Sequence, residues 1–322
     1  MTPPELPLIE RFPALRVLPR APLGRFPSPV ISVGTLAPGL WLKREDLNAE
    51  PLGGNKIRAL EFLLGGVAAG DTVVTVGAAG STHALATVVY ARQLGARARC
   101  FRWHQEMNPA ARQVAARTTT ETGDSRLSRT VVGAYTRSLA ARLRGAHWIP
   151  AGGSSPLGIL GQVNAGLEIA KQIAEGLLPL PDRVVVPLGT GGTVAGLALG
   201  LAIANVATEI VAVRVVPRIV ANAGHVRTLA ARTARLIERT TGAGLPRPDA
   251  RGVRVVHEFF GGAYGRATPA GDRVARDCLE RTGIVVDPTY GAKALAAATA
   301  LAKERGGTTL FWLSFDGRWM AR

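Results

Sequence analysis

A single lysine behind two glycines is the residue of this sequence best suited to covalent chemistry. Residues 51–58 read Pro-Leu-Gly-Gly-Asn-Lys-Ile-Arg, and the glycines allow backbone conformations and close approaches that other residues cannot make. They deliver Lys56 to the start of an apolar pattern typical of a helix. Lysine is scarce, with five in 322 residues, whereas arginine is abundant and cannot bond covalently to an aldehyde. Lys56 is therefore either a covalent anchor for a carbonyl compound or a solvated lysine at a helix start.

An anchoring lysine must be partly neutral at the working pH. We expect burial beside the apolar Ile57 and the positive charge of Arg58 to lower the pKa of Lys56 in that direction. Such an amine can serve both as a nucleophile and as a base.

A glycine-rich loop after a buried strand predicts an anion site. The loop Gly189-Thr190-Gly191-Gly192-Thr193 lies between an apolar strand and an apolar helix, where unpaired backbone N–H groups and the helix dipole favour a phosphate. It lacks the lysine of a P-loop, and Val194 replaces the third glycine of a dinucleotide fingerprint. A phosphate cradle and a turn required only by tight strand-to-helix packing both remain open.

A second loop places hydroxyl and imidazole groups at another helix start. Residues 77–83 read Gly-Ala-Ala-Gly-Ser-Thr-His and follow a predicted strand. Ser81 or Thr82 could cap the helix, and His83 could be a partly buried amphipathic side chain instead of a group facing a ligand. No carboxylate is marked out as the third member of a Ser-His-Asp triad, so the sequence gives a hydrolase no support.

Composition restricts the class of protein. A chain of 322 residues with 47% hydrophobic residues can bury a large core, and its length fits two domains or one elaborated domain. Cys100 and Cys278 are too few for a disulfide framework or a cysteine-based metal site, which favours a reducing compartment, by default the cytoplasm. No secretory signal is visible, and the longest apolar run, residues 194–206, is shorter than the about 20 residues that span a bilayer. We expect a soluble protein without a metal or a membrane partner.

The formal net charge of +16 could attract nucleic acid or an anionic membrane. The arginines are scattered through the chain, and aromatic residues are too sparse to interleave with them as stacking platforms. We therefore expect no specific nucleic-acid partner and a general attraction for small anions.

The hydrophobic pattern alternates between helix and strand, which is typical of parallel βαβ units. The predicted strands, the first of which follows a proline-rich arm, cover residues 40–43, 72–76, 98–103, 146–150, 183–187, 209–216, 253–259 and 308–315. The predicted helices cover residues 57–69, 82–94, a segment that starts at Asn108-Pro109, a long helix through Leu167 and Ile173, and residues 194–204, 220–240, 270–281 and 293–305. Residues 118–123 are predicted as a loop. We expect a smaller α/β domain from residues 58–164 and a larger one from residues 1–57 and 165–322.

Seven motifs, taken together and in order, resemble one family. They are Lys43-Arg44-Glu45-Asp46-Leu47, Gly53-Gly54-Asn55-Lys56-x-Arg58, the loops at 77–83, 152–158 and 189–193, Gly262-Ala263-Tyr264-Gly265 and Asp287-Pro288-Thr289-Tyr290. Beyond the N-terminal arm, nearly the whole chain resembles the 1-aminocyclopropane-1-carboxylate deaminase and D-cysteine desulfhydrase family of pyridoxal phosphate enzymes. The resemblance implies the tryptophan synthase β-subunit fold (fold type II), an α/β fold with two open, twisted, mostly parallel sheets flanked by helices. It also implies a homodimer and places the cofactor in the larger domain.

The resemblance implies which residues hold the cofactor. Lys56 would bind pyridoxal phosphate covalently and act as the base at the substrate's α-carbon, and Asn55 would lie beside the cofactor ring. The loop from Gly189 to Thr193 would cradle the phosphate. Ser314 stands where the family has a threonine hydroxyl near the pyridine nitrogen.

The resemblance also implies which residues meet the small amino-acid substrate. Ser81 and His83 would face it, and Thr82 would bind its carboxylate or the phenolic oxygen of the cofactor. Tyr264 and Tyr290 would close the site from the other side.

The chain departs from the family at three of its motifs. The family's Gln-Ser-Asn-His is Gly80-Ser81-Thr82-His83 here, and its terminal His-Thr-Gly-Gly is Leu313-Ser314-Phe315-Asp316. The Tyr-Glu-Gly-Lys of the deaminases, or Tyr-Thr-Gly-Lys of the desulfhydrases, is Tyr290-Gly291-Ala292-Lys293. Alternation along a strand puts Ser314 and Asp316 on one face, so either could meet the pyridine nitrogen.

The missing glutamate makes the chain less like a ring-opening deaminase. We expect a lyase that removes a β-substituent from D-cysteine or a related small amino acid and releases a keto acid and ammonia. The departures also leave open a ring-opening deaminase and a catalytically altered relative that binds the cofactor or an amino acid.

Overall fold

The computed structural model describes residues 5–246 and 252–320. In chain order, the strands are β1 (Val30–Ser32), β2 (Leu40–Arg44), β3 (Thr72–Ala78), β4 (Arg97–Trp103), β5 (Leu127–Ser128), β6 (His147–Ile149), β7 (Arg183–Leu188), β8 (Glu209–Arg214), β9 (Val253–Val256) and β10 (Thr309–Leu313). The α-helices are α1 (Pro7–Arg11), α2 (Lys56–Leu63), α3 (Thr82–Gln93), α4 (Pro109–Thr122), α5 (Val131–Leu143), α6 (Pro156–Ala174), α7 (Gly192–Ile203), α8 (Ala223–Thr241), α9 (Pro269–Thr282) and α10 (Gly291–Arg305).

The larger sheet has six strands in the order β1-β2-β10-β7-β8-β9. β1 is antiparallel to β2, and every other neighbouring pair is parallel. β7, with the sequence Arg-Val-Val-Val-Pro-Leu, is buried along its whole length because helices cover both faces, as a parallel sheet requires. α6, α7 and α8 pack on one face, and α9 and α10 pack on the other.

The smaller sheet has four strands, all parallel, in the order β5-β4-β3-β6. All of them lie between residues 72 and 149, and the apolar faces of α2 and α3 contribute to the core beneath them. The predicted fold class, two open and mostly parallel sheets flanked by helices, is confirmed. In the part of the chain that the structure describes, no helix combines the length and the hydropathy needed to cross a membrane.

Side-chain caps explain where several helices begin. Ser81, Asn108 and Ser155 each accept a hydrogen bond from the backbone N–H three residues further on, and proline follows the last two. Such caps satisfy N–H groups that the first turn leaves unpaired.

Two predicted element boundaries are wrong for identifiable reasons. The predicted loop at 118–123 is the last turn of α4, where threonine hydroxyls donate to carbonyl oxygens four residues back, and the helix ends at Gly123 with φ 66°. The predicted helix 57–69 ends at Leu63, because Gly65 packs against the backbone of Pro19 so closely that a side chain there would lie 2.3 Å from it.

A buried ion cluster joins β2 and α2 to α6. The guanidinium of Arg58 pairs with Glu45 (Nε to Oε2, 2.6 Å) and with Glu168 (Nη1 to Oε2, 3.0 Å). Lys43 Nζ lies 2.5 Å from Glu168 Oε1 and donates to the carbonyl oxygen of Ser28 at 2.7 Å. The four charged side chains are at most 2% exposed. Two cations and two carboxylates balance, so no uncompensated charge is buried.

The cluster keeps Glu168 ionised. Burial alone would raise the pKa of Glu168, but the positive charges of Arg58 and Lys43 outweigh it and lower this pKa to about 2. The carboxylate therefore stays charged throughout the neutral range and holds both cations in place.

Replacing Glu168 tests how much this cluster stabilises the fold. Because Glu168→Gln leaves two buried cations with one carboxylate, we expect it to lower the free energy of unfolding by about 3–5 kcal/mol in urea denaturation. The matched control is Glu5→Gln, which removes an exposed ion pair with Arg16 and should cost far less.

The stability lost in Glu168→Gln should depend on pH. A carboxyl group whose pKa is lower in the folded protein stabilises the fold above its ordinary pKa of 4.5, and that contribution is lost as the pH falls toward 2. The difference in the free energy of unfolding between wild type and Glu168→Gln should therefore be largest above pH 4.5 and should decrease below it. Equal losses for the two variants at pH 7 would contradict this role of the cluster.

Candidate functional site

A cavity of about 620 Å³ opens at the carboxyl ends of β3, β7 and β10. The carboxyl ends of parallel strands are where α/β proteins place their ligand sites. Every side chain or loop that the sequence analysis assigned to the site lines this cavity: Asn55, Lys56, Ser81, Thr82, His83, Gly189, Thr190, Gly191, Gly192, Thr193, Tyr264, Tyr290 and Ser314.

Lys56 is the first residue of α2, and its amine faces the cavity. Its Nζ donates a hydrogen bond to the carbonyl oxygen of Gly152 at 3.3 Å. Burial lowers the pKa of Lys56 from 10.5 to about 8. The expected contribution of Arg58 is wrong, because its guanidinium is neutralised by Glu45 and Glu168 on another face of the helix.

Lys293 is a second lysine whose amine is unusually acidic. Burial lowers its pKa to about 8, and its Nζ donates to the carbonyl oxygen of Phe260 at 2.7 Å. Lys293 does not line the cavity, however. Of these two lysines, only Lys56 can reach a ligand bound there.

Asn48 fixes the glycine turn that precedes Lys56. Its side-chain amide accepts from the backbone N–H of Gly54 at 3.0 Å and donates to the Gly54 carbonyl oxygen at 3.1 Å. Gly54 has φ 135°, and a Cβ there would lie 2.9 Å from the carbonyl oxygen of Ser314. Only glycine fits this backbone position without strain.

Asn55 ties the lysine turn to the predicted anion loop. Its side-chain Nδ2 donates to Thr193 Oγ1 at 2.8 Å, and its backbone N–H donates to the carbonyl oxygen of Ser314 at 2.9 Å. Gln162 Nε2 donates to the Asn55 carbonyl oxygen at 2.6 Å. The residue before Lys56 is therefore held from three sides.

The loop from Gly189 to Thr193 has the geometry of an anion cradle. Gly191 adopts φ 86° and caps α7, a helix of 12 residues whose first N–H groups are unpaired by its own turns. The hydroxyls of Thr190 and Ser154 hydrogen bond at 2.7 Å and brace the loop from outside. A Cβ at Gly192 would lie 2.7 Å from Ser154 Oγ, so the close packing requires glycine.

These groups fit the cofactor that the sequence motifs imply. A partly neutral amine suits its aldehyde, and a helix start with glycine-rich backbone suits its phosphate. Both line the same cavity.

The loop at 77–83 contributes hydroxyl groups and a neutral imidazole. Ser81 Oγ accepts from the Ala84 N–H at 3.3 Å and so caps α3 while also lining the cavity. His83 Nε2 lies 3.2 Å from Thr75 Oγ1. Burial, aided by the charge of Lys56, lowers the pKa of His83 to about 3, so the ring is neutral at physiological pH.

Tyr264 and Tyr290 form a pair on the other side of the cavity. Their hydroxyls hydrogen bond to each other, and their rings meet edge to face with centroids 5.8 Å apart. Burial raises the pKa of Tyr264 to about 12 and that of Tyr290 well above 10. Both phenols therefore keep their protons at neutral pH.

Ser314 lines the cavity, whereas Asp316 does not. β10 ends at Leu313, so the strand alternation that would place both side chains on one face stops before them. The Asp316 carboxylate instead pairs with Arg318 through two contacts of 2.8 and 2.9 Å.

Packing explains two of the departures from the family motifs. A Cβ at Gly80 would lie 2.6 Å from the Cβ of Ala111 in α4, and a Cβ at Gly291 would lie 2.8 Å from a carboxylate oxygen of Asp287. The longer side chains that the family motifs carry would require the backbone of α4 to move at Gly80 and the side chains of Val286 and Asp287 to move at Gly291.

Sequence reasoning missed several residues of the site. Asn48 and Gln162 act by bracing other residues, which no spacing rule reveals. The outer part of the cavity is apolar, and its residues come from the ends of β4 and β8 and from the first turns of α5: Trp103, Val131, Tyr135, Val216, Ile219 and Val220. The position of Trp103 at a strand end was a usable signal, but nothing in the sequence indicates where α5 lies.

Comparison with known proteins places the chain in a family. The profile of the family described as "Pyridoxal-phosphate dependent enzyme" matches residues 21–314. A Pyrococcus horikoshii protein, provisionally assigned as a 1-aminocyclopropane-1-carboxylate deaminase, is 33% identical over 97% of this chain and 94% of its own. The nocardicin C-9′ epimerase of Nocardia uniformis subsp. tsuyamanensis is 36% identical over 92% of each chain. The D-cysteine desulfhydrase of Salmonella paratyphi C is 32% identical over 80% of this chain and 79% of its own.

Solved structures agree with the sequence relatives. The crystal structure of an ACC deaminase homologue has a TM-score of 0.78 and 28% identity, covering 97% of this chain and 95% of the other. The crystal structure of the T.th. threonine deaminase has a TM-score of 0.65 and 25% identity, covering 98% and 99% of the two chains. The resemblance read from the seven motifs is confirmed, and the chain belongs to the family of pyridoxal-phosphate dependent enzymes.

Proposed function

We propose that this enzyme is a lyase that removes a β-substituent from an amino acid related to D-cysteine and releases a keto acid and ammonia. The carrying observation is that the partly neutral amine of Lys56 and the anion loop at 189–193 line one cavity. The hydrogen bond between Asn55 and Thr193 joins the two. Relatives named as D-cysteine desulfhydrases support the reaction class.

Lys56 has two tasks in this proposal. It would hold pyridoxal phosphate covalently, and its freed amine would accept the proton from the substrate's α-carbon. The cofactor, when bound, delocalises the negative charge that develops at that carbon. Ser314, which lines the cavity, would offer the cofactor's ring a neutral hydroxyl and not a carboxylate, and this would favour elimination over transamination.

The remaining polar residues orient the substrate. Ser81 and Thr82 sit at the start of α3, where a carboxylate is favoured by the helix dipole. His83 is neutral and is held near Thr75, so it acts by hydrogen bonding and not as an acid. Tyr264 and Tyr290 keep their protons and can donate one to a leaving group.

Two other reactions are weighed against this one. A ring-opening deaminase would carry a glutamate where Gly291 stands, and a side chain there would require Val286 and Asp287 to shift. The second candidate reaction is inversion at the α-carbon, which is supported by the epimerase that is 36% identical to this chain. Inversion needs a proton donor on the face opposite Lys56, and the cavity hydroxyls of Ser81 and Tyr290 are candidates. The departures at Gly80 and Gly291 also keep a catalytically altered binding protein as an alternative.

The family resemblance supports a homodimer, and the low cysteine content supports a reducing compartment. We place the enzyme in the cytoplasm as a homodimer. The domain division is proposed as 58–164 against 1–57 and 165–322, because all strands of the smaller sheet fall between residues 72 and 149.

Product analysis separates the candidate reactions. With a panel of D- and L-amino acids that includes both cysteine enantiomers, we expect keto acid and ammonia from D-cysteine or a relative. Chiral chromatography of the remaining amino acid detects inversion in the same samples. Inverted amino acid without keto acid would establish the epimerase instead, and neither product would support the binding protein.

The pKa of Lys56 sets the pH dependence of cofactor capture. With a pKa of about 8, about one-tenth of this amine is neutral at pH 7. The rate at which the cofactor-free protein captures pyridoxal phosphate should therefore rise with pH and level off above pH 8, as followed by visible absorbance. Lys56→Ala should show no lysine-bound band, whereas Lys171→Ala, at an exposed lysine, should behave as wild type. A midpoint near 10.5, or a persistent band in Lys56→Ala, would refute the assignment.

Thr193 couples the anion loop to the lysine turn. Thr193→Val leaves the buried amide of Asn55 without its acceptor, which costs about 1–3 kcal/mol. We expect a correspondingly weaker affinity for pyridoxal phosphate by equilibrium titration. Thr299→Val is the matched control, because the Thr299 hydroxyl is buried and has no hydrogen-bond partner within residues 5–246 and 252–320. Equal affinities of the two variants for pyridoxal phosphate would show that the hydrogen bond between Asn55 and Thr193 does not affect cofactor binding.

A further inference from the structure

The outer part of the cavity is walled by apolar side chains that the proposed chemistry does not use. One wall comes from the end of β4 and the start of α5, and the other follows β8. The residues are Trp103, Val131, Tyr135, Val216, Ile219 and Val220, and we name them the outer wall.

Sheet register shows that the outer wall lies beyond the cofactor-holding loops. Trp103 is the register partner of Ala78, so it lies one strand outward from the loop at 77–83. Arg214 is the partner of Leu188, so the segment at 216–220 lies one strand outward from the anion loop. Neighbouring strands are about 4.8 Å apart. The outer wall therefore lies about one strand spacing to the side of the loops at 77–83 and 189–193.

Part of the outer wall is a preformed aromatic surface. Val131 is the first residue of α5, and Tyr135 follows one turn later on the same face. The ring of Tyr135 stacks on Trp103, with centroids 6.1 Å apart and planes inclined by 23°. A flat apolar group can lie against such a surface.

Both sides of the outer wall leave apolar side chains in water. Ile219 is 88% exposed, Val131 46% and Val220 38%. Exposed apolar surface beside a cavity is typical of a ligand-binding groove, because covering it releases roughly 25 cal/mol per Å².

Two of the polar side chains at the same end are already engaged, whereas His104, which also lines the cavity, has no hydrogen-bond partner among the described residues. Gln105 Oε1 accepts from the Gly80 N–H at 3.0 Å, and the Glu106 carboxylate pairs with Arg266 at 2.9 Å. The recognition that the outer wall still offers is therefore mainly apolar. The cavity of about 620 Å³ falls within the roughly 300–1,000 Å³ typical of sites for drug-sized ligands, which is more than a three-carbon amino acid needs beside the cofactor.

We propose that the outer wall is a subsite for an apolar, preferably aromatic, substituent on the substrate. The substrate class is then a cysteine thioether with such a group on sulfur. For the reaction this inference rests on the proposed function. The Cα–H bond breaks and its proton goes to Lys56, and the Cβ–S bond breaks with its electron pair leaving on sulfur, which takes up a proton. With one water, the products are the apolar thiol, a three-carbon keto acid and ammonia.

Equilibrium binding tests the subsite without any turnover. The probes are both enantiomers of 2-aminobutanoic acid and of 2-amino-4-phenylbutanoic acid, which have no sulfur leaving group and differ by a phenyl ring. By calorimetry on the cofactor-loaded enzyme, we expect one enantiomer of the phenyl compound to bind at least about tenfold more tightly than its small counterpart. Equal affinities, weaker binding of the phenyl compound, or no binding of either would overturn the subsite.

Matched variants locate the effect. Ile219→Ala combined with Val131→Ala should reduce the phenyl preference at least about threefold. Leu143→Ala combined with Val132→Ala should leave it unchanged, because these side chains are 89% and 71% exposed but do not line the cavity. The same loss in both double variants, or in neither, would overturn the assignment of the outer wall.

An elimination assay separates this inference from the proposed function. S-phenylcysteine and cysteine, each as both enantiomers, are assayed for thiol and keto acid. A phenyl preference in binding with no product from any compound supports the subsite and rejects the lyase. Product release with no phenyl preference in either binding or kcat/KM supports the lyase and overturns the subsite.

Discussion

The hydrogen bond from Asn55 to Thr193 is the contact on which the site depends. It connects the turn that carries Lys56 to the start of α7, and these two segments lie 138 residues apart along the chain. The backbone of Asn55 is held as well, by Ser314 at the end of β10 and by Gln162 of α6. One residue therefore sets the distance between an amine and an anion cradle, and in our proposal this distance matches a ligand with an aldehyde and a phosphate.

The buried ion cluster beneath α2 leaves the first residue of this helix, Lys56, free to have a lowered pKa. Arg58 lies two residues after Lys56, yet Glu45 and Glu168 neutralise it within the core. Lys56 itself has no carboxylate partner among the described residues, and burial alone lowers its pKa to about 8. The same helix thus carries one cation that must stay charged for stability and one amine that must lose its charge for chemistry. Separation of the two onto different faces of α2 makes both possible.

The parts of this structure that local patterns specify were predictable from the sequence. The fold class follows from the strand and helix rhythm, and the glycine turns before Lys56 and α7 mark two parts of the cavity lining. Contacts between distant segments were not predictable. The lowering of the Lys56 pKa by burial was predicted, but the neutralisation of Arg58 by distant carboxylates was not. The choice of Ser314 over Asp316 depends on where β10 ends, and the outer wall depends on how α5 packs against β4. Each of these is set by tertiary packing, which spacing along the chain does not record.

Chemical trapping of the cofactor followed by peptide mapping determines most directly which lysine holds it. Borohydride reduction of the enzyme loaded with pyridoxal phosphate fixes the cofactor to whichever lysine holds it, and mass spectrometry of the digest identifies that lysine. The structure predicts stoichiometric modification of Lys56 and none of Lys293, although both amines have a pKa lowered to about 8. Modification of Lys293, or of neither lysine, would contradict the account.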